Sequence, residues 1–318
     1  MPDKARISTD KQLKKMEKEL TKIYKKSEKE ITAEWNAYMK RSSAKIADIQ
    51  LKYNEVYKNG SKSEIKAIKE ELTSAIEAQT LKNDQYRKMV NATAEKITNV
   101  NELALKYTNG QMPEIYAINY NAFASQAKKV GVDFNLINAK VVKNLALKNP
   151  KLIPYKNIKH KKDYLWNLKK INSSVLQGIL QGESIPKISK RLLPIVDNNK
   201  ASAIRNARTM TTSAENKGRF GSMQDLIDKG VVMQKVWMAT HDEVTRISHA
   251  EMDGEAVDLD ETFSNGLMYP ADPAGDPEEV WNCRCSMTTK FIGINDKDGN
   301  FKEFNIKGYN PDYKFEQL

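Results

Sequence analysis

The stretch from Leu13 to Val56 carries apolar side chains at steps of three and four residues, and this spacing constrains the fold more than any other feature. Side chains at such steps share one face of an α-helix, so the spacing predicts a single long amphipathic helix. Ser27 and Ser42 occupy two positions of the same stripe. The apolar positions are Leu13, Met16, Leu20, Ile23, Ile31, Trp35, Tyr38, Ile46, Ile49, Tyr53 and Val56.

A short polar segment, KNGSKSE, interrupts this helix. Asn59 followed by Gly60 favours a turn at a helix C-terminus. Ser61 followed three residues later by Glu64 has the pattern of a capping box, which begins another helix. The sequence therefore predicts a tight turn between two helices.

The second helix is predicted to place its apolar residues from Ile65 to Leu103 on one face and to end at TNGQMP (108–113). Two long helices joined by a tight turn form an antiparallel hairpin. Residues 1–110 are therefore predicted to be a long helical hairpin, serving as a spacer or docking arm.

The net charge of +11 is divided unevenly along the chain. Residues 1–110 hold 23 Lys and Arg against 16 Asp and Glu, and residues 111–231 hold 21 against 8. Residues 232–318 reverse the balance, with 8 against 17. A basic surface attracts polyanions through the release of counterions, so the middle segment is predicted to contact nucleic acid. For the first segment, solubility is the simpler interpretation.

The basic middle segment contains a loop, PKLIPYKNIKHKKDYLW (150–166), in which lysines stand among three aromatic residues. Basic residues beside aromatics suit phosphate contact and base stacking, although such a loop can also be a solvated segment anchored by its aromatics. We predict contact with double-stranded DNA, without base reading, by this loop and the helices after it. The predicted DNA-binding residues are Lys151, Lys156, Lys159, Lys161, Lys162, Lys169, Lys170, Lys190, Arg191, Arg205 and Arg208.

Helices are predicted to continue as far as Gly230. Residues 114–196 read as shorter helices, with a stop at Gly182 and a cap at Ser184. Residues 197–230 read as a longer helix that begins with Asp197 or its neighbour Asn198 as N-cap.

From residue 231 the pattern changes. VVMQKVWMAT (231–240) is largely apolar on both alternating faces, which is typical of a covered strand. Gly, Asp and Pro become frequent over 253–282. The predicted fold is mainly α, with a basic helical body at 111–230 followed by a small acidic α+β domain at 231–318.

The last domain concentrates its polar residues near both cysteines of the chain. His249, Cys283 and Cys285 are ligands that zinc accepts, although Cys-x-Cys is a less usual zinc spacing than Cys-x-x-Cys. A disulfide between cysteines so close would close a very small strained loop, and a Cys–His nucleophile pair is a further alternative. A fourth metal ligand would come from His241, Asp242 or Asp253.

The favoured alternative is a structural network in which the cysteines pack as small apolar side chains. Its polar side chains would form hydrogen bonds and ion pairs that join the strand to the following loop. The residues assigned to this structural signature are Asp242, Arg246, His249, Asp253, Asn282, Cys283 and Cys285.

The order of these motifs resembles the minor head, or head-morphogenesis, proteins of tailed phages, the family that includes the phage Mu F protein. Over roughly residues 165–290, Arg208-Thr209 is followed by a strand, then HDEVTRISHAEMDGEAV, then YPADPAGDPEEVWNCRC. The resemblance implies a protein present in few copies inside the virion head, beside the portal protein. It would contact packaged DNA and assist assembly or genome delivery, with the scaffolding or major capsid protein as further partners.

Some members of the family carry Cys-x-x-Cys in place of Arg246-x-x-His249, and a histidine near the position of Val280. Neither occurs in this sequence. These differences leave metal binding open. The expected protein is a structural component of the virion, which is not an enzyme and needs no cofactor. Its location would be the virion, and the host cytoplasm during assembly.

Two other functions compete with this expectation. One is a metal-dependent hydrolase or toxin-related enzyme that uses His249, Cys283 and Cys285. Against it, the chain ends at Leu318, 33 residues after Cys285, which is too short for an appended catalytic domain. The other is a cytoplasmic adaptor that uses the hairpin as a coiled-coil partner.

Composition bounds the location. No run of about 18 apolar residues occurs, so no membrane partner is expected. The first 20 residues lack an apolar core, so no signal peptide is predicted. Two cysteines are too few for a disulfide framework, which favours synthesis in a reducing cytoplasm.

Overall fold

The structure is a computed structural model, and it describes most of the chain. The described residues are 3–79, 84–123, 127–128, 131–157, 159–181, 183, 185–296 and 298–304. The predicted helix stop at Gly182 and cap at Ser184 lie outside these residues. Among the described helices, none is long and apolar enough to cross a membrane.

The first helix, α1 (Lys4–Asn59), confirms the long helix predicted from the apolar spacing. It begins after Asp3, whose Oδ1 accepts hydrogen bonds from the backbone N–H groups of Ala5 (3.0 Å) and Arg6 (3.1 Å). This is the N-cap arrangement, which satisfies helix donors that have no partner within the helix. The buried stripe of α1 includes Met16, Leu20, Tyr24, Ser27, Ile31, Trp35 and Tyr38.

The capping box after α1 is also confirmed. The backbone N–H of Ser61 donates to Oε2 of Glu64 at 2.7 Å, and the Ser61 hydroxyl accepts from the Glu64 N–H at 3.4 Å. Helix α2 (Lys62–Gln79) follows. Local sequence alone determines these bonds, because both partners lie in the same turn.

Helix α3 (Asp84–Asn121) runs antiparallel to α1, as the hairpin prediction requires. The Tyr24 hydroxyl donates to Oδ1 of Asn101 at 2.6 Å, and Nε1 of Trp35 donates to Oγ1 of Thr93 at 2.8 Å. Residue numbers rise on one helix as they fall on the other. These contacts fix the register of the pair because each polar group is aimed at one partner.

The predicted end of this helix at 108–113 is wrong, since α3 continues to Asn121 with Pro113 inside it. Pro113 cannot donate a helical hydrogen bond, but the turns around it bury Met112, Ile115 and Tyr116. Packing of these side chains outweighs the local preference for a break.

Among the described residues, helices that lead to the sheet include α4 (Ala139–Lys148), α5 (His160–Leu180), α6 (Ile185–Lys190) and α7 (Leu193–Ile227). The predicted N-cap of the last helix at Asp197 or Asn198 is wrong, because α7 begins four residues before Asp197. Pro194 occupies its first turn, where proline's fixed φ angle is favourable and its missing N–H costs nothing.

Within the described part of the chain, the C-terminal sheet contains four antiparallel strands in the order β2-β1-β3-β4. They are β1 (Val231–Met238), β2 (Ala256–Val257), β3 (Ser286–Asn295) and β4 (Phe301–Glu303). Two short helices, α8 (Ile247–Glu251) and α9 (Pro277–Val280), lie between the strands in sequence. The strand predicted at 231–240 is confirmed, and so is the fold class, mainly α with a small α+β part.

The core beside the sheet is formed by the C-terminal part of α7 and the inner faces of β1 and β3. Phe220, Met223 and Leu226 pack with Met233 and Phe291. Helix α7 also approaches α3 at backbone contact, because a Cβ at Gly218 would lie 2.4 Å from the carbonyl oxygen of Tyr116. Only glycine fits there without displacement of a helix.

One buried residue of β1 is charged. Nζ of Lys235 donates to the carbonyl oxygens of Leu259 (3.1 Å) and Glu261 and lies 5.2 Å from the centroid of the Phe263 ring. Burial lowers the pKa of Lys235 to about 8. The lysine therefore anchors the loop after β2 to the central strand.

The chain divides into two compact units, each assembled from separate stretches. The sheet unit comprises Met1–Lys18, Lys106–Lys156 and Ile204–Leu318, and the helical unit comprises Glu19–Leu105 and Asn157–Ala203. The three consecutive segments expected from the sequence do not coincide with these units. Helices α1, α3 and α7 each contribute residues to both, which charge and turn patterns do not reveal.

Candidate functional site

The candidate site surrounds His249, which α8 places in an apolar cluster of the sheet unit. Its imidazole packs edge-on against Trp237 of β1, with ring centroids 5.2 Å apart and an interplanar angle of 79°. Phe263 packs edge-on against the same indole at 5.1 Å. The histidine is therefore fixed in orientation by packing as well as by hydrogen bonds.

Both cysteines face one nitrogen of this histidine. Sγ of Cys283 lies 3.7 Å from Nδ1 of His249, and Sγ of Cys285 lies 3.5 Å from the same atom. Both thiols are free and buried. The structure thus brings together the three residues that the sequence nominated as metal ligands, and it shows no disulfide between them.

The other ring nitrogen of His249 meets a residue that the sequence analysis missed. Nε2 lies 2.7 Å from Oε2 of Glu279, the third residue of α9. Asn265 Nδ2 donates to the same carboxylate oxygen at 3.2 Å, and the Ser248 hydroxyl lies 3.4 Å from it. No pattern in DPEEV favours Glu279 over Glu278, because only the fold reveals which of the two faces inward.

These contacts shift the pKa values of all three side chains. The hydrogen bond from Cys283, helped by His249, lowers the pKa of Cys285 to about 5 against the effect of burial. The same hydrogen bond, together with burial, raises the pKa of Cys283 well above its usual range. Burial acts to lower the pKa of His249, but Cys285 and Glu279 raise it overall. The cluster therefore favours a thiolate next to the imidazole.

Backbone geometry explains why one residue separates the cysteines. Asn282 has φ +58°, a left-handed conformation that asparagine tolerates better than most residues, and it turns the chain after α9. Burial alternates over the next three residues: Cys283 and Cys285 are buried, whereas Arg284 is partly exposed. The Arg284 guanidinium binds Asp242, with Nη2 2.6 Å from Oδ1.

The remaining signature residues contact separate partners, and no hydrogen bond joins Asp242, Arg246, His249 and Asn282 to one another among the bonds of the described residues. Asp242 pairs with Arg284, which lowers the pKa of that carboxyl to about 2. Arg246 donates to the carbonyl oxygen of Trp281. These contacts secure the loop after β1 by several independent attachments.

Asp253 and Asn282 are the other two signature residues. Oδ1 of Asp253 accepts from the backbone N–H of Ala239 at 2.9 Å, and Oδ2 lies 3.0 Å from Nε2 of His241. The backbone N–H of Asn282 donates to Oγ1 of Thr209 at 3.0 Å. The bond from Asn282 connects the turn before Cys283 to α7.

Seven of the predicted DNA-binding residues belong to the helical unit. Lys159, Lys161 and Lys162 are exposed at the start of α5, where they line an open cleft with His160 and Leu165. Nζ of Lys170 lies 5.7 Å from the centroid of the half-exposed Trp166 ring. Lys169 and Lys190 are also exposed, whereas Arg191 is half-buried and pairs with Glu183.

The other four predicted DNA-binding residues, which belong to the sheet unit, are exposed. Nζ of Lys156 donates to Oδ1 of Asn206 at 2.6 Å, which attaches the basic loop to α7. Nε of Arg208 lies 2.6 Å from Oε1 of Glu17 on α1. Lys151 and Arg205 complete the group.

Comparison with known proteins identifies two relatives. The chain is 27% identical over 290 residues to "Minor head protein GP7" of Bacillus phage SPP1, covering 86% of this chain and 84% of that one. It is 26% identical over 196 residues to "NAD(+)--arginine ADP-ribosyltransferase EFV" of Enterococcus faecalis, covering 59% of this chain and only 40% of that protein. None of the solved structures matches this chain.

The sequence model of one family, described as "Phage Mu protein F like protein", matches residues 169–288. That segment contains α7, the strand β1 and the cysteine–histidine cluster, which consists of His249, Cys283 and Cys285. The resemblance to phage minor head proteins that the motifs indicated is thereby confirmed. Residues 169–288 of this chain are therefore similar to the Phage Mu protein F like family, and most of the chain is similar to the SPP1 minor head protein.

Proposed function

We propose that this protein acts inside the head of a tailed bacteriophage as a minor head protein. It lies at the portal, contacts packaged double-stranded DNA without base reading, and assists head assembly or genome delivery. The observation that carries the proposal is the similarity to the SPP1 minor head protein, which extends over most of both chains. The scaffolding or major capsid protein would be a further partner.

The exposed face of α5 supports the DNA contact. Lys162, Lys169 and Lys170 are exposed on this helix, while Ile171 and Val175 on its opposite face are buried. A separation of seven residues spans about 10 Å along a helix axis, so Lys162 and Lys169 can contact different phosphates of one duplex. The half-exposed Trp166 lies between them in sequence.

We propose no enzymatic activity for this chain. The relative named as an ADP-ribosyltransferase is matched over 40% of its length, so the greater part of that protein lies outside the match. Cys285 contacts His249, and His249 contacts Glu279, which is the sequence of contacts made by a nucleophile, its base and the group that orients the base. However, both cysteines are at most 2% exposed, which leaves a substrate no access to either sulfur.

The first test is the composition of purified heads. Quantitative mass spectrometry of heads is expected to find this chain far less abundant than the major shell subunit, and cross-linking is expected to join it to the portal protein. Heads assembled without the portal protein are the control, and they should lack the chain. Its absence from complete heads, or equal abundance with the shell subunit, would refute the proposed location.

The second test measures DNA binding by a triple variant, Lys162→Gln, Lys169→Gln and Lys170→Gln. Loss of three phosphate contacts is expected to weaken duplex binding roughly 10- to 100-fold at low salt and to reduce the slope of log affinity against log salt by about three. Fluorescence anisotropy with labelled duplexes of two unrelated sequences would measure both quantities.

The matched control for this test also removes three charges from the helical unit. Lys25, Lys26 and Lys29 are exposed on α1, outside the predicted binding residues, and their replacement by glutamine should leave affinity within a few-fold of wild type. Equal weakening by the two triple variants would contradict a localised site. No wild-type binding at low salt would contradict DNA contact altogether.

A further inference from the structure

The spacing of the cysteine–histidine cluster matches a tetrahedral metal site. With Zn–S bonds of about 2.3 Å and Zn–N bonds of about 2.0–2.1 Å, a tetrahedron has sulfur–nitrogen edges of about 3.6 Å. The two observed distances from Nδ1 of His249 are 3.5 Å to Cys285 and 3.7 Å to Cys283. All three ligand atoms lie within 4.8 Å of one another.

The hydrogen bonding of His249 favours the same interpretation. A histidine that binds a metal through one nitrogen usually donates its other N–H to a carboxylate, which fixes the tautomer and the ring orientation. Here Nε2 lies 2.7 Å from Glu279, so its proton can be donated there while the Nδ1 lone pair faces the sulfurs. Asn265 holds Glu279 in place.

The apolar surroundings of the cluster favour thiolates that are neutralised by a bound divalent cation over thiolates without a cation. The cluster is packed among Trp237, Phe263 and Val280, and a buried charge in such surroundings is costly unless it is compensated. Two thiolates neutralise one divalent cation, so the bound centre carries no net charge before Glu279 is counted. Binding would release the thiol proton of Cys283 to solvent.

From this juxtaposition of Cys283 Sγ, Cys285 Sγ and His249 Nδ1 around one point, we infer that the protein binds a zinc ion there. Thiolate and imidazole ligands in tetrahedral geometry favour zinc over magnesium or calcium, which take oxygen ligands. The ion joins α8, the loop after α9 and the first residue before β3, so it cross-links the sheet unit instead of acting on a substrate.

The first experiment measures metal content. The full chain, purified by gel filtration after exposure to zinc, is expected to contain about one zinc ion per molecule by elemental mass spectrometry. The double variant Cys283→Ser, Cys285→Ser should lose it, whereas His160→Ala, a change of an exposed histidine in the helical unit, should retain it. Equal zinc content in the wild type and the double variant overturns the inference.

The second experiment requires no ligand substitution, so a folding defect cannot obscure it. Cobalt(II) added to chelator-treated wild-type protein is expected to give thiolate-to-metal charge-transfer absorption and the visible bands of a tetrahedral ion. An octahedral spectrum, or absence of the charge-transfer band, overturns the inference. Adventitious binding at surface carboxylates produces the octahedral spectrum.

A third measurement tests the orienting role of Glu279. The variant Glu279→Gln is expected to bind zinc 10- to 100-fold more weakly than the wild type in competition with a chromophoric chelator. Glu278→Gln is the matched control, because Glu278 is the exposed neighbour on the same short helix, and its affinity should not change. Equal zinc affinities of the wild type, Glu279→Gln and Glu278→Gln would exclude the proposed coordination by Nδ1 of His249.

Discussion

Replacement of Arg219 by alanine is expected to lower the free energy of unfolding by about 3–5 kcal/mol, because it removes one partner of a buried ion-pair group. The guanidinium is 5% exposed, donates to the carboxylates of Asp3 and Glu215, and donates to the carbonyl oxygen of Met287 at 3.2 Å. Without it, the buried Glu215 loses its nearest positive charge. Urea unfolding followed by circular dichroism at neutral pH measures the loss.

The matched control is Arg208→Ala on the same helix. Arg208 is exposed and pairs with Glu17, and an exposed pair of this kind contributes at most about 1 kcal/mol. Similar losses from the two substitutions would contradict a special role for burial. The comparison separates removal of a buried partner from removal of any arginine of α7.

The stability deficit of Arg219→Ala should shrink as the pH falls toward about 4. Burial alone would raise the pKa of Asp3, but Arg219 holds it below its usual value of 3.8, so the stabilisation from Asp3 persists at pH 4 and is lost only at lower pH. Burial raises the pKa of Glu215, and without Arg219 its protonation would relieve the uncompensated charge. A deficit that is constant between neutral and acidic pH would exclude an electrostatic origin.

The second large effect is expected from Trp237→Ala, which should cost about 3–5 kcal/mol. The indole is completely buried and packs edge-on against both His249 and Phe263, so alanine leaves a cavity at the centre of the cysteine–histidine cluster. Chemical unfolding followed by circular dichroism suits this test, since the signal does not depend on the missing tryptophan.

Two controls distinguish packing from polar contacts of the indole. Trp237→Phe keeps most of the side-chain volume, and Nε1 of Trp237 has no hydrogen-bond partner within the described structure. This substitution should therefore lower the free energy of unfolding by less than about 1.5 kcal/mol. Trp281→Ala removes an indole that is 63% exposed and should change stability by no more than about 0.5 kcal/mol. A phenylalanine variant as unstable as the alanine variant would contradict the packing explanation.

Local features of the fold were predictable from the sequence. The buried stripe of α1 follows from apolar spacing, the Ser61–Glu64 cap from two residues in one turn, and β1 from its apolar alternation. Features set by distant partners were not. Pro113 lies inside α3 because the turns around it are buried, and no local preference contains that information.

The site was predictable to a similar extent. The three candidate ligands were nominated together, because histidine and cysteine are scarce in this chain and occur close in sequence. Glu279 was missed because its role depends on the direction in which α9 presents it. The contact of Arg6 with the carbonyl oxygen of Arg284, 3.1 Å across 278 positions of sequence, carries no pattern that periodicity could detect.

That long-range contact has a consequence for biosynthesis. The first turn of α1 is translated early, yet the groups that hold it, Arg219 and the Arg284 carbonyl, are translated more than two hundred codons after that turn. Loop closure over such distances is slow compared with helix formation, so the nascent helix must persist before its anchor exists. The first turn of α1 is thus made first and secured last, and until α3 is translated the apolar stripe of α1 is a natural target for chaperones.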